Sequence, residues 1–127
     1  MKRVIVAAQN TLVAEVVAYS MKKCDMLVEK ALVGTPDGIA DLCKSFFADV
    51  LVMDVIRFGS GSFDNRIKTA DAVKKNNPKI KVCFVCDKVS DAELSYKVAN
   101  AKKMGLIDAF FYQSVPSDYI ADVISTM

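Results

Sequence analysis

The sequence predicts an α/β fold class: five strand–helix units in succession, closing as one doubly wound parallel sheet with helices on both faces. Three observations lead there. Apolar runs of strand length alternate with stretches of helical period along the whole chain. The runs are apolar at successive positions, the pattern of strands covered on both faces. Helix starts and stops separate them. Right-handed crossovers between parallel strands then place helices on both sides of the sheet.

The first strand is expected over Arg3 to Ala8. Asn10 can cap a helix whose apolar face is Leu12, Val13, Val16 and Val17. Met26 to Val33 reads as a second strand. Thr35 then offers a cap, with Pro36 at the first helical position, and Ile39, Leu42, Cys43 and Phe46 follow on one helix face. Asp49 to Ile56 contains the strongest strand, Val50-Leu51-Val52-Met53. Phe58-Gly59-Ser60-Gly61-Ser62 is a loop, and a third helix runs from Phe63 to Asn76, stopped by Asn77-Pro78. Ile80 to Cys86 is the fourth strand. Ser90-Asp91-Ala92-Glu93 is a capping box for a fourth helix with Leu94, Val98 and Ala101 inside and Gly105 at its end. Leu106 to Tyr112 is the fifth strand, and Pro116 opens a last helix carrying Ile120, Val123, Ile124 and Met127 on its inner face.

The chain of 127 residues suits one domain. With 53% hydrophobic and 25% charged residues it is not a disordered chain. Its 17 basic and 15 acidic residues are too balanced for a dedicated nucleic-acid surface. No apolar run has the length of a membrane span, and the first ten residues lack a signal peptide's apolar region, so a cytoplasmic setting is expected. The absence of histidine excludes Ser-His-Asp and Cys-His nucleophiles, histidine metal sites and phosphohistidine relays within the chain. Four cysteines, Cys24, Cys43, Cys83 and Cys86, are expected as reduced, buried thiols. Cys83 and Cys86 form a C-x-x-C inside a strand, where residues three apart point to opposite faces. A redox or zinc role is the competing reading.

In open sheets of this kind ligand chemistry collects at the carboxyl ends of the strands. Those positions are Ala8, Gln9, Asp54, Cys86, Asp87, Tyr112 and Gln113. At these residues, across nearly the whole chain, the sequence resembles the receiver domain of two-component response regulators, the chemotaxis-regulator-like fold. The resemblance is carried by Val4 to Val13, by Ala48 to Val55, by Pro78 to Cys86, and by Gly105 to Ile120 with its Gln113-Ser114-Val115-Pro116-Ser117-Asp118 exit. It implies a five-stranded flavodoxin-like (βα)5 receiver topology with strand order 2-1-3-4-5.

The resemblance also implies which positions carry phosphorelay chemistry. Asp54 matches the phosphoacceptor aspartate at the end of the third strand. The acid pair that helps hold Mg²⁺ aligns with Ala8 and Gln9, which supply no carboxylate. Gln113, or in another register Tyr112, stands where a lysine pairs with the phosphoryl group. Cys86 replaces the hydroxyl residue after the fourth strand, and a thiol is a weak donor. The usual Met-Pro step after Asp54 is missing. The chain therefore looks like an atypical, or pseudo-, receiver in which Mg²⁺ binding is weak and confined to Asp54.

Plainer roles stand beside these. Asp54 can serve as a strand-end carboxylate bonded to loop amides, and Asp87 either replaces a lost carboxylate or is a solvated turn residue. Gly59-Ser60-Gly61-Ser62 lacks the Gly-Lys-Ser/Thr end of a phosphate loop and reads instead as a flexible connection with Ser62 capping the third helix. Arg57 and Arg66 flank it and could draw an anion. The Lys22-Lys23, Lys74-Lys75 and Lys102-Lys103 doublets suit helix C-termini. Without histidine a cobalamin-binding domain is excluded, and only Phe58 and Tyr112 offer the aromatic loops of a flavin binder.

The expectation is a non-enzymatic signalling module that works through protein contacts without a cofactor. It has a sensor kinase as a possible partner, touches neither nucleic acid nor membrane itself, and controls a DNA-binding output domain absent from these 127 residues, in a transcriptional context. A homodimer through helix 4, strand 5 and helix 5 would use Tyr96, Asp108, Asp118, Tyr119 and Asp122; a solvated monomer is the alternative. The rival reading is a small-molecule sensor or vestigial enzyme using the strand-end crevice.

Overall fold

Residues 1–31, 34–57, 59–86 and 92–127 are described by a computed structural model of the chain. Strands β1 (Arg3–Ala7), β2 (Leu27–Lys30), β3 (Val50–Asp54), β4 (Lys81–Cys86) and β5 (Ala109–Tyr112) alternate with helices α1 (Thr11–Lys23), α2 (Pro36–Phe46), α3 (Phe63–Asn76), α4 (Ala92–Lys103) and α5 (Ser117–Ser125). A single 3₁₀ turn, Gly59–Gly61, sits between β3 and α3. The strands pair in parallel in the order β2-β1-β3-β4-β5. This is the predicted doubly wound sheet, with its switch of winding direction between β1 and β3.

The caps form at the positions read from sequence. Asn10 Oδ1 accepts from the N–H groups of Leu12 and Val13, Thr35 Oγ1 from Gly38 and Ser62 Oγ from Asn65. Gly105, with φ +80°, follows α4 in the left-handed conformation that glycine adopts without steric cost. Pro116 opens the last helix as expected, standing as the cap residue just before Ser117. Strands 2 and 5 are shorter than expected. The capping box at 90–93, like part of the second strand at 32–33, falls largely outside the described residues.

Alternation along the central strands divides the core in two. Ile5, Leu51, Met53, Val82, Phe84 and Cys86 face α2, α3 and α4. Val4, Val6, Val50, Val52, Cys83 and Val85 face α1 and α5. Cys83 and Cys86 therefore do lie on opposite faces. Helix α1 is rotated from its expected setting: Ala14, Val17, Ala18 and Met21 are buried, whereas Leu12 and Val16 are 71% and 45% exposed. Cys24 is exposed, against the expectation that all four thiols are buried.

At the amino end of the sheet Lys74 Nζ donates to Asp108 at 2.7 Å, and Val82 N–H donates to the same oxygen at 2.8 Å. Asp108 is thus bound into the β4–β5 base and is not a free interface charge, which corrects its expected role. Partial burial raises its carboxyl pKa, but the hydrogen bonds from Lys74 and Val82 outweigh that and hold it below the ordinary 3.8. The stabilisation is complete above the unfolded value and disappears as pH falls through the lower folded one. Asp108→Asn is expected to lower Tm at about pH 6, with the gap to the parent narrowing below about pH 4. Thermal melts over that range check it; a constant gap would exclude the pair as its source.

Candidate functional site

Asp54 ends the central strand and is 1% exposed. The chain leaving β1 turns its backbone toward it. Gln9 N–H donates to Oδ1 at 3.0 Å and Asn10 N–H to Oδ2 at 2.8 Å. The third partner is Arg66, from the first turn of α3 and also 1% exposed. Its Nη2 donates to Asp54 Oδ1 and its Nε to the Asp54 backbone carbonyl, each at 2.8 Å. Both carboxylate oxygens are engaged, and a guanidinium supplies the counter-charge. Charged groups so deeply buried persist only when paired and hydrogen-bonded.

Arg66 reaches this depth because the loop before it folds tightly. Ile56 N–H donates to Gly61 carbonyl at 2.8 Å, and Asn65 Nδ2 to Gly59 carbonyl at 3.0 Å. Gly59 takes φ +84°, which a side chain would oppose. The Gln9 side-chain amide bonds to Ser60 Oγ, joining this loop to the β1 exit. A Cβ on Gly34 would lie 2.7 Å from Ser60 Oγ, so a larger residue there would have to displace that side chain.

The structure brings Ala8, Gln9 and Asp54 together and adds Arg66, which corrects its expected place beside the loop as an anion attractor. Cys86 and Gln113 do not join them among the bonds to Asp54 described here. Cys86 is buried on the α2–α4 side, with its carbonyl accepting from Gln113 N–H at 2.9 Å. Gln113 lines an apolar cleft with Leu12, Val13, Val16 and Val115. Tyr112 hydroxyl accepts from Ser95 Oγ of α4 at 3.1 Å. Asp87 and Phe58 lie outside the described residues. Arg66 had one legible signal: Arg66, Thr69, Ala70 and Val73 fall at i, i+3, i+4 and i+7, and all are buried.

Among the described residues the donor set does not fit a divalent cation. Ala8 offers no ligand, the Gln9 side chain is committed to Ser60, and Asp54 already faces a cation. Mg²⁺ wants several hard oxygens in octahedral array. Among the described residues no three acidic or thiol side chains cluster for a metal.

No protein-family profile and no curated protein matches this chain. Solved structures do. A CheY-like protein, TadZ, from Pseudomonas aeruginosa superposes with TM-score 0.76 at 12% identity, covering 99% of this chain and 98% of that one. A response regulator, TrrA, from Thermotoga maritima, in complex with Mg²⁺ and BeF, gives 0.74 at 15% identity over 99% and 98% of the two chains. An orphan response regulator of H. pylori gives 0.74 at 13% over 98% and 94%. The chain has the receiver fold. Within that fold Asp54 occupies the carboxyl end of the central strand, and in this receiver-like domain an internal arginine binds it.

Two outcomes follow from this geometry. Arg66→Met strands a buried carboxylate and is expected to cost about 3–5 kcal/mol. Arg66→Lys is expected to recover little of it, since an ammonium cannot present the same fork to side chain and carbonyl. Urea unfolding measures both, and a loss under about 1 kcal/mol for Met would contradict a buried ion pair. For the thiols, burial pushes Cys43 and Cys83 up to about 12. Iodoacetamide at about pH 8 should label Cys24 alone in the folded protein and all four thiols in urea, because the thiolate is the reactive form. Mass spectrometry of native samples carrying several labels would contradict the packing.

Proposed function

We propose that this domain is an atypical receiver that signals through protein contacts and not through a phosphorylated aspartate. The observation that carries the reading is the Arg66–Asp54 pair. Phosphoryl transfer depends on positioning and on stabilising developing charge. Here the carboxylate that would attack has both oxygens engaged, and the positions that resemble a metal cage and a phosphate-binding lysine hold Ala8, Gln9 and Gln113. The receiver fold supports a role among signalling partners, a sensor kinase or an output domain included, in the cytoplasm. No helix among the described residues is long and apolar enough to cross a membrane.

The contact surface we favour is α4–β5–α5, used by two copies of the chain. Tyr96 and Tyr119 are 73% and 55% exposed there, and tyrosine is enriched at interfaces. Asp122 is exposed. Asp118 stands 3.4 Å from Lys23 in an exposed pair that a partner lysine can replace at little cost. Asp108 is excluded, being held by Lys74.

Acetyl phosphate, or beryllofluoride with Mg²⁺, is expected to leave both intact mass and amide NMR spectrum unchanged. Rapid modification at Asp54 would overturn the reading. Sedimentation velocity is expected to show a dimer that ignores phosphodonors and dissociates in Asp118→Lys/Asp122→Lys. A monomer at high concentration, or a dimer indifferent to both substitutions, would remove this surface.

A further inference from the structure

Helix α1 carries a second apolar stripe, which the fold leaves uncovered. Its Ala14, Val17, Ala18 and Met21 are buried against the rest of the chain. Leu12, Val16 and Tyr19 follow at i, i+4 and i+7 on the outer surface and are 71%, 45% and 66% exposed. Lys23 continues the row, its Nζ 5.2 Å from the centre of the Tyr19 ring and 3.4 Å from Asp118. Alternating steps of four and three are the spacing of a seam that packs along another helix, and a contiguous apolar patch on a surface marks an interaction site. The two borders of the row differ. On the β2 side stand Glu15 and Lys22, both exposed. Glu15 Oε1 accepts from Lys30 Nζ of β2, while Lys22 has no ion-pair partner among the described residues. On the α5 side the border is apolar, a cleft of about 270 Å³ whose walls include Leu12, Val13, Val16 and Val115.

We propose that this stripe is a self-association surface, on which two copies of the chain pack their α1 helices antiparallel about a two-fold axis. Antiparallel packing sets Tyr19 of each copy against the partner's Val16, and Leu12 against the aliphatic stem of the partner's Lys23. The two-fold axis also brings each border against its own counterpart. On the β2 side Glu15 of each copy then faces the partner's Lys22, so two pairs of opposite charge form. On the α5 side the mouths of the two apolar clefts meet, and apolar surface is covered without an unpaired charge. Parallel packing would instead set each Glu15 against the apolar border of the partner, near its Val13, and leave both charges unmatched. The charge pattern thus selects a second copy as the occupant, and the antiparallel direction with it. One 13-residue helix from each copy makes an interface of the small class, so the association is weak and depends on concentration. This face is distinct from α4–β5–α5 and stands whether or not that face pairs.

A nitroxide on Cys24, the exposed thiol that follows α1, tests it. The spin-labelled chain is mixed with ¹⁵N-labelled chain at a total of about 0.5 mM, a concentration suited to a weak contact. Relaxation of the ¹⁵N-labelled copy then reports only contacts between molecules. The amides of Asn10 to Val13 are expected to broaden, because antiparallel packing brings the end of one α1 to the start of the other, and to recover when the nitroxide is reduced. Glu15→Lys alone and Lys22→Glu alone, each made in both copies, set like charges opposite one another. Each should weaken the association about tenfold or more. Glu15→Lys/Lys22→Glu restores opposite charges across the axis and should restore the broadening. All three variants should keep a Tm close to the parent's, since exposed pairs contribute little to folding. No intermolecular broadening overturns the proposal. So does broadening centred on Lys22 to Asp25, which would mean parallel packing, or broadening confined to α4 and β5. Single reversals that associate as tightly as the parent, or a double variant that fails to recover, overturn it too.

Discussion

The buried pairing of Arg66 with Asp54 is the contact on which the carboxyl edge of this domain depends. It joins the end of the central strand to the first turn of α3, and through Asp54 to the backbone after β1. A carboxylate at that depth without a cation would be strongly destabilising, and so would the guanidinium without its carboxylate. The two residues secure each other, and the loop between them must then fold compactly. Gly59, Gly61 and the hydrogen bonds from Ile56 and Asn65 are how it does so. The arrangement puts an organic cation, carried by the chain itself, beside the carboxylate that the receiver resemblance assigns to phosphoryl chemistry.

The position of the pair also separates the two halves of the molecule. On one side of the sheet α2, α3 and α4 cover a core built on Leu51, Met53, Phe84 and Cys86. On the other, α1 and α5 cover Val4, Val6, Val52 and Val85. Asp54 projects from the strand shared by both. Gln9 and Asn10, which grip it, lead directly into α1, whereas Arg66 belongs to α3. One carboxylate thus ties together segments that lead into helices on opposite faces of the sheet.

Most of the fold was legible in the sequence, because strands covered on both faces announce themselves by unbroken apolar runs and because Asn10, Thr35 and Ser62 cap where their chemistry suggests. Helix α1 was misjudged for a physical reason. Its buried stripe contains Ala14 and Ala18, which pattern reading weighs lightly, while Leu12 and Val16 drew attention yet sit at the rim of a cleft. The site was half legible. Asp54, Ala8 and Gln9 converge as their places at strand ends require. Arg66 did not announce itself, since a long charged side chain near a loop is usually solvated at its tip. Its spacing with Thr69, Ala70 and Val73 marked it as inward-facing, but only the folded chain reveals the partner. Asp108 failed the other way: an acid in a turn looks free until Lys74 is seen reaching across from α3.

The tether at the opposite end of the sheet has a different kind of consequence. Lys2, one residue before β1, donates from Nζ to the carbonyls of Ile124 and Ser125 at 3.1 and 3.3 Å and also to that of Met127. The residue that leads into the sheet and the residues that finish α5 are thereby neighbours, and the backbone traces a nearly closed ring. A chain organised in this way is indifferent to where the ring is cut, provided the cut falls at an exposed connection. Joining residue 127 to residue 1 through a few flexible residues and reopening the ring at the α4–β5 turn after Gly105 would preserve every strand pairing. It would change only the order in which the units leave the ribosome, making the domain a scaffold for asking which βα unit must form first.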